Sequence, residues 1–338
     1  MAGSDRHHDD GGQGDALRYA TSFHAPVLCK AVIQRLITNL GGVYVDATLG
    51  GGGHSAALLD ALSPRGRVIG IDQDVEALDA ARSRLAADIE RGRFKALRGN
   101  FEDLERLLET VEEEAPVDGL LVDLGVSSHQ LDTASRGFSY LAKGELDMRM
   151  DAHVGFSAHD VVNVWEEREL KELFSAYGEE PRSGRIARAI VRARPLETTL
   201  ALADAVRGTV PERDEMKTLS RIFQALRIAV NRELEVLERV LETSVDVVRP
   251  GGRMAVISYH SLEDRRTKRF FRYGNFHGEP LRDLYGNHLA PWKELTRKPI
   301  RPDDAEIEAN PRSRSARLRL AERTVLGWPP VQDALTER

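Results

Sequence analysis

The stretch Asp46-Ala-Thr-Leu-Gly-Gly-Gly-Gly-His54 sets a carboxylate, four consecutive glycines and an imidazole within one short segment. Glycines let the backbone approach a ligand where a Cβ would block it, and the N-terminus of a following helix adds unpaired N–H donors. The loop alone does not name its ligand: Gly51-x-Gly53-x-x-Ala56 also satisfies a dinucleotide fingerprint, and a structural turn uses the same residues. The acid before the glycines, Asp46, favours S-adenosylmethionine, whose amino-acid end it can meet directly or through water. Asp72, ending the next apolar run, is placed to accept both hydroxyls of a ribose, but an NAD site puts an acid at the same point. In Gly99-Asn100-Phe101 the ring either packs on an adenine or is ordinary core, and its residue type alone does not choose.

These residues need a frame that brings their loops to one edge. Val43 to Ala47 is a short apolar run, followed by the glycine loop and a helical stretch, Ser55 to Leu62, closed by Ser63-Pro64-Arg65-Gly66. Arg67 to Ile71 reads as a second strand ending at Asp72, Val75 to Leu85 as an amphipathic helix, Phe94 to Arg98 as a third strand, and Val117 to Val122 as a fourth ending at Asp123. This alternation predicts a doubly wound α/β domain, a parallel sheet with helices on both faces and ligands at the C-terminal ends of its strands.

From Leu131 to about Leu219 the strand rhythm stops. Only helical periodicity remains, as in Glu167 to Ala176 and Gly184 to Arg192, and an inserted all-helical domain is expected. The α/β pattern resumes with one long helix, Ile222 to Val248, stopped by Pro250-Gly251-Gly252, then a strand from Met254 to Tyr259 and a basic helix from Leu262 to Arg272. The Arg/Leu alternation of Ser315 to Ala321 predicts a last strand with one wet face. The expected organisation is a disordered tail at 1–22, an α/β domain in two parts at 23–130 and 222–325, the insertion at 131–221, and a tail at 326–338.

Composition bounds the function. A chain of 338 residues exceeds one average domain, and no apolar run approaches the ~20 residues that span a bilayer, so no membrane partner is expected. Cys29 is the only cysteine, which excludes an internal disulfide or a thiolate metal cluster and fits the reducing cytoplasm. Met1 to Asp15 lacks the apolar core of a signal peptide, and a solvated tail explains His7, His8, Asp9 and Asp10 better than a metal site does. His54, His129 and His260 show no recognisable ligand spacing, and no metal is expected. The net charge of −6 argues against indiscriminate nucleic-acid binding, yet His260 to Arg323 carries 15 Lys/Arg against 10 Asp/Glu, leaving the remainder at −11. The C-terminal third is where a polyanion would be received.

Taken together, His24-Ala-Pro-Val-Leu, Asp46 to Ser55, Gly70-Ile-Asp-Gln-Asp74, Asp123-Leu-Gly-Val-Ser-Ser-His-Gln130, Arg136-Gly-Phe-Ser-Tyr140, Asp147-Met-Arg-Met-Asp151, Ser258-Tyr-His-Ser-Leu-Glu-Asp264 and Asn310-Pro-Arg-Ser-Arg-Ser-Ala316 closely resemble the ribosomal RNA small subunit methyltransferase H family, from about Phe23 to Arg323. The resemblance implies a class I S-adenosylmethionine-dependent methyltransferase fold and N4-methylation of one cytidine in the decoding region of bacterial 16S rRNA. It implies cofactor contacts at Gly52, Gly53, His54, Asp72, Phe101, Asp123 and Gln130. Free 16S rRNA or the assembled small subunit is the implied partner. The oligomeric state stays open, a homodimer included.

A cytosine N4 amine is a poor nucleophile because its lone pair is delocalised into the ring. The protein's task is alignment, with acceptors that draw the nitrogen toward a tetrahedral shape. Amino-methyltransferases often carry an acid-Pro-Pro-aromatic string after the fourth strand. Here Asp123-Leu-Gly-Val-Ser-Ser128 departs from it, and Asp123, Ser127 and His260 are the catalytic candidates, with Ser128 a weaker one. Arg185, Arg188 and Arg192 fall on one helix face, while Arg265, Arg266 and Arg269 crowd another helix with Lys268 and Arg272; both stripes are expected to meet phosphate. Two other classes compete: the same fold acting on another nucleic acid or a small molecule, and a non-catalytic ribosome-assembly factor.

Overall fold

The computed structural model describes residues 19, 26–111, 116–151, 155–283, 285–286 and 288–326. Both expected tails, apart from Tyr19 and Leu326, lie outside those residues, as do the His7 to Asp10 cluster and His24. The chain divides into two compact units, 1–125 with 238–338, and 126–237.

The first unit is built on seven strands: β1 (Val43–Asp46), β2 (Arg67–Asp72), β3 (Phe94–Arg98), β4 (Val117–Asp123), β5 (Val248–Ser258), β6 (Trp292–Glu294) and β7 (Arg317–Arg323). Their order in the sheet is β3-β2-β1-β4-β5-β7-β6. The first five are parallel to one another, while β7 runs antiparallel to both β5 and β6. Strands covered on both faces must be apolar along their whole length, and β4 is buried from Val117 to Val122. Tyr44, Leu58, Val68, Phe94, Leu121, Ile257 and Leu318 share one core. This is the doubly wound class I arrangement expected, and its winding reverses between β1 and β4. Asp46, Asp72 and Asp123 are the last residues of β1, β2 and β4.

Three local expectations are corrected. The strand expected from Met254 starts at Val248; Val117 pairs with Val248 and Gly119 with Arg253, so Pro250-Gly251-Gly252 forms a bulge inside the strand instead of a linker before it. The last strand has no wet face. Arg319 is 5 % exposed, because Asp264 of the helix Ser261–Tyr273 pairs with it at 2.6 Å, and buried Arg323 donates to the Val245 carbonyl at 2.8 Å. The long helix expected from Ile222 to Val248 is two helices, Glu212–Asn231 and Glu233–Val247, parted at Arg232 in the left-handed region at φ 51°. Asn231 anchors that break: its Nδ2 donates to the Met148 carbonyl at 2.8 Å, and its Oδ1 accepts from the Met150 N–H at 2.7 Å.

The second unit is helical. Its described residues form Ser128–Asp132, Ala158–Val164, Glu167–Ala176, Ser183–Ala193, Thr199–Arg207 and Glu212–Asn231, with an isolated bridge between Glu145 and Thr198. Val161, Leu170, Phe174, Ile186, Ile190, Leu202, Leu219 and Ile222 close its core. The helix Glu212–Asn231 runs unbroken past residue 221, where the end of the insertion was expected. No helix among the described residues is long and apolar enough to cross a membrane.

Candidate cofactor and catalytic site

The glycine loop leaves β1 and crosses to β2, where the Leu49 N–H donates to the Ile71 carbonyl at 2.9 Å. Gly50 then adopts φ +50°, and its N–H donates to Asp72 Oδ2 at 2.8 Å. The other Asp72 oxygen accepts the Asp74 N–H at 2.9 Å. Burial outweighs these two donors and pushes the Asp72 carboxyl up to about 6. Asp46 serves a different end. It is fully buried, accepts the Ser55 hydroxyl at 2.8 Å, and its carboxyl is raised by that burial, so it braces the first turn of the helix Gly53–Ala61.

The glycines divide their work. A Cβ on Gly52, whose φ is +74°, would sit 3.3 Å from Ala81 Cβ, and one on Gly53 would sit 3.0 Å from Pro26 Cδ, so both positions are closely packed on that side. A Cβ on Gly50 would meet nothing within 4 Å. Gly50 thus leaves open space, a cradle beside Asp72, at a position the sequence reading did not single out alongside Gly52 and Gly53. Across the cradle, Asn100 caps the short turn Phe101–Asp103 and its Nδ2 reaches Gln73 Oε1 at 3.4 Å, tying the loop after β3 to the loop after β2. Phe101 is half-buried at the start of that turn.

Asp123 closes β4 with its side chain 7 % exposed. The phenol of Tyr259, just beyond β5, donates to its Oδ1 at 3.0 Å. His54 Nδ1 lies 3.7 Å from its Oδ2, while His54 Nε2 lies 3.0 Å from the Val27 carbonyl. A carbonyl only accepts, so Nε2 donates to Val27, and the Nδ1 edge faces the carboxylate. Burial, reinforced by the Asp123 charge, raises the Tyr259 phenol well above its ordinary value and keeps it a donor. The group so held is a carboxylate at the C-terminal edge of the sheet, the edge at which Asp72 closes β2. Such a group can align an N–H-bearing nucleophile without a strong base.

The remaining candidates sit as follows. His260 is 8 % exposed, and its Nε2 lies 3.1 Å from Glu263 Oε1 at the start of the helix Ser261–Tyr273. In the helical unit, Ser127 caps Ser128–Asp132: its hydroxyl accepts the Gln130 N–H at 3.2 Å, and Gln130 Oε1 accepts the Ser127 N–H at 3.0 Å. Ser127 and one end of the Gln130 amide thus serve local capping. Arg185, Arg188 and Arg192 are exposed on the helix Ser183–Ala193, opposite buried Ile186, Ala187 and Ile190, with Arg188 3.3 Å from Glu167. Arg265 is exposed, whereas Arg266 pairs with Glu238 at 2.6 Å and Arg269 donates to the Phe276 carbonyl at 2.9 Å.

Relatives of known designation match nearly the whole chain. The ribosomal RNA small subunit methyltransferase H of Chlorobium luteolum is 50 % identical over 327 residues, covering 91 % of this chain and 98 % of its own. The proteins of that name from Chlorobaculum parvum and Thermomicrobium roseum are 50 % and 49 % identical, covering 89 % and 90 % of this chain and 98 % and 94 % of their own. Residues 21–324 match the MraW methylase family. A match of that extent, on a sheet of this topology, assigns the chain to the MraW methylase family.

Proposed function

We propose that this protein transfers a methyl group from S-adenosylmethionine to the N4 amine of one cytidine in the decoding region of bacterial 16S rRNA. The observation that carries the reading is the Asp123 carboxylate, held at the end of β4 and set on the same sheet edge as the Gly50–Asp72 cradle. The name of the relatives, ribosomal RNA small subunit methyltransferase H, supports it.

The residues present fit the cofactor. Gly50 leaves room where a Cβ would project, Asp72 keeps acceptor capacity for ribose hydroxyls, and Phe101 offers a ring face to an adenine. When bound, S-adenosylmethionine supplies an electrophilic methyl on a sulfonium. Asp123 accepts an N–H of the cytosine amine and turns its lone pair toward that methyl; the nitrogen sheds one proton once it carries the new bond. Arg185, Arg188, Arg192 and Arg265, which are the exposed members of the two stripes, contact rRNA phosphates, with half-buried Arg266 and Arg269 contributing less. The substrate places this work in the cytoplasm, on free 16S rRNA or the assembled small subunit, by a monomer or a homodimer.

The test is to incubate the protein with methyl-labelled S-adenosylmethionine and either free 16S rRNA or small subunits, then map the product nucleoside. N4-methylcytidine at one position is expected. Label on neither RNA overturns the proposal.

A further inference from the structure

Asp123 and Tyr259 stand at the ends of adjacent parallel strands: Asp123 pairs with Ile257, and the Leu124 N–H donates to the Ile257 carbonyl at 2.9 Å. Tyr259 falls two residues beyond that pairing. Its backbone N–H is fixed by Glu263 Oε2 at 2.9 Å, and its ring lies against Gly125, where a Cβ would come within 3.4 Å of Cδ2. So placed, the phenol donates to Asp123 Oδ1 at 3.0 Å. On the far side His54 is held by Val27, and below the chain the Asp123 N–H is held by Thr48 Oγ1 at 2.6 Å.

We propose that Tyr259 is a positioning residue of the methyl-transfer site, its hydroxyl locking the Asp123 carboxylate in the orientation that meets the cytosine amine. This rests on the functional reading above. A hydrogen bond to one oxygen also fixes the plane of the carboxylate, and with it the direction in which it accepts. That suits an amine that must be aligned before it loses a proton. The other charged groups facing this pair are Asp46 and His54 from the glycine-loop side, Glu263 from the helix Ser261–Tyr273, and Glu306 from the helix Asp304–Ala309.

Tyr259→Phe keeps the ring and removes the hydroxyl. Expected are a kcat lower by about 10-fold or more, with a KM for RNA and a cofactor Kd within about twofold of the unaltered protein. An unchanged kcat overturns the proposal, and so does a parallel loss of cofactor affinity and melting temperature, which would make the hydroxyl a support of the fold. Ultraviolet difference titration, with Tyr259→Phe as the blank, reads the contact without activity: Asp123→Asn must let the Tyr259 phenol ionise at lower pH, and an unmoved titration overturns the pairing. If the unaltered protein transfers no methyl, the functional reading fails and the positioning role fails with it, even where the titration still shows the contact.

Discussion

Thr48 Oγ1 accepts the backbone N–H of Asp123 at 2.6 Å, so one hydroxyl joins the loop after β1 to the last residue of β4. The residue that would distinguish this loop from a purely glycine-lined turn is therefore the brace of the acceptor itself. Thr48→Val keeps the shape and leaves a sheltered N–H unpaired, at an expected cost of about 1–2 kcal/mol in urea denaturation. Thr48→Ser, which keeps the acceptor, should stay close to the parent. Equal stability of the Val and Ser variants would show that this bond contributes nothing.

Asp72 couples the cofactor cradle to pH. Its folded carboxyl titrates at about 6, above its ordinary 3.8, so the folded protein holds this proton more tightly than the unfolded chain does. The stability it contributes is complete below the ordinary value and is lost as pH rises through about 6. Asp72→Asn should flatten that part of the stability–pH curve, followed by denaturation between pH 4 and pH 7. Asp72→Ala should weaken S-adenosylmethionine by about 10- to 100-fold in calorimetry, the worth of one or two hydrogen bonds to a charged group. Unchanged affinity would remove Asp72 from the ribose site.

Gly50 and Gly53 should respond oppositely to alanine. Gly50→Ala meets only its own left-handed backbone, about 1 kcal/mol in stability, while its methyl enters the cradle and lowers cofactor affinity. Gly53→Ala drives a methyl to 3.0 Å from Pro26 and should lose stability first. Melting temperature and cofactor calorimetry on the two variants separate the effects; the reverse pattern would reassign the cradle.

Much of this was legible in the residues. β3 spans the Phe94 to Arg98 that its apolar run predicts, and the helix Glu167–Ala176 has the expected ends, because each is specified by a local period and local breakers. What escaped depended on partners far along the chain. Arg232 breaks a helix because Asn231 is claimed by Met148 and Met150, some eighty residues away. The arginines of β7 look wet until Asp264 and the Val245 carbonyl cover them. The close packing of Gly52 on Ala81 and of Gly53 on Pro26 likewise needs the folded chain to be seen. Tyr259 gave no signal of its own, since a tyrosine after a strand reads as core; only the register of β5 on β4 brings its hydroxyl to Asp123.

The exposed arginine row offers the cleanest test of RNA contact. Replacing Arg185, Arg188 and Arg192 together by Ala should leave stability and cofactor affinity near their starting values, because all three side chains are in solvent. Affinity for 16S rRNA should fall, and the slope of log K against log salt should shrink by about 2, nearly one for each phosphate lost. Filter binding across a salt series measures both. An unchanged slope would leave this helix face as ordinary solvated surface.

The pairing of β4 with β5 joins Leu120 to Met254 across the whole helical unit. The entropy of closing so long a loop grows only with the logarithm of its length, so adding a folded unit at this point costs the sheet little in equilibrium stability. The cost falls on kinetics instead. Contacts of such high sequence separation form slowly, while the helices between them rest on local ones. The helical unit should acquire hydrogen-exchange protection before the β4–β5 ladder does, leaving the acceptor carboxylate among the last groups to reach its place when the chain folds.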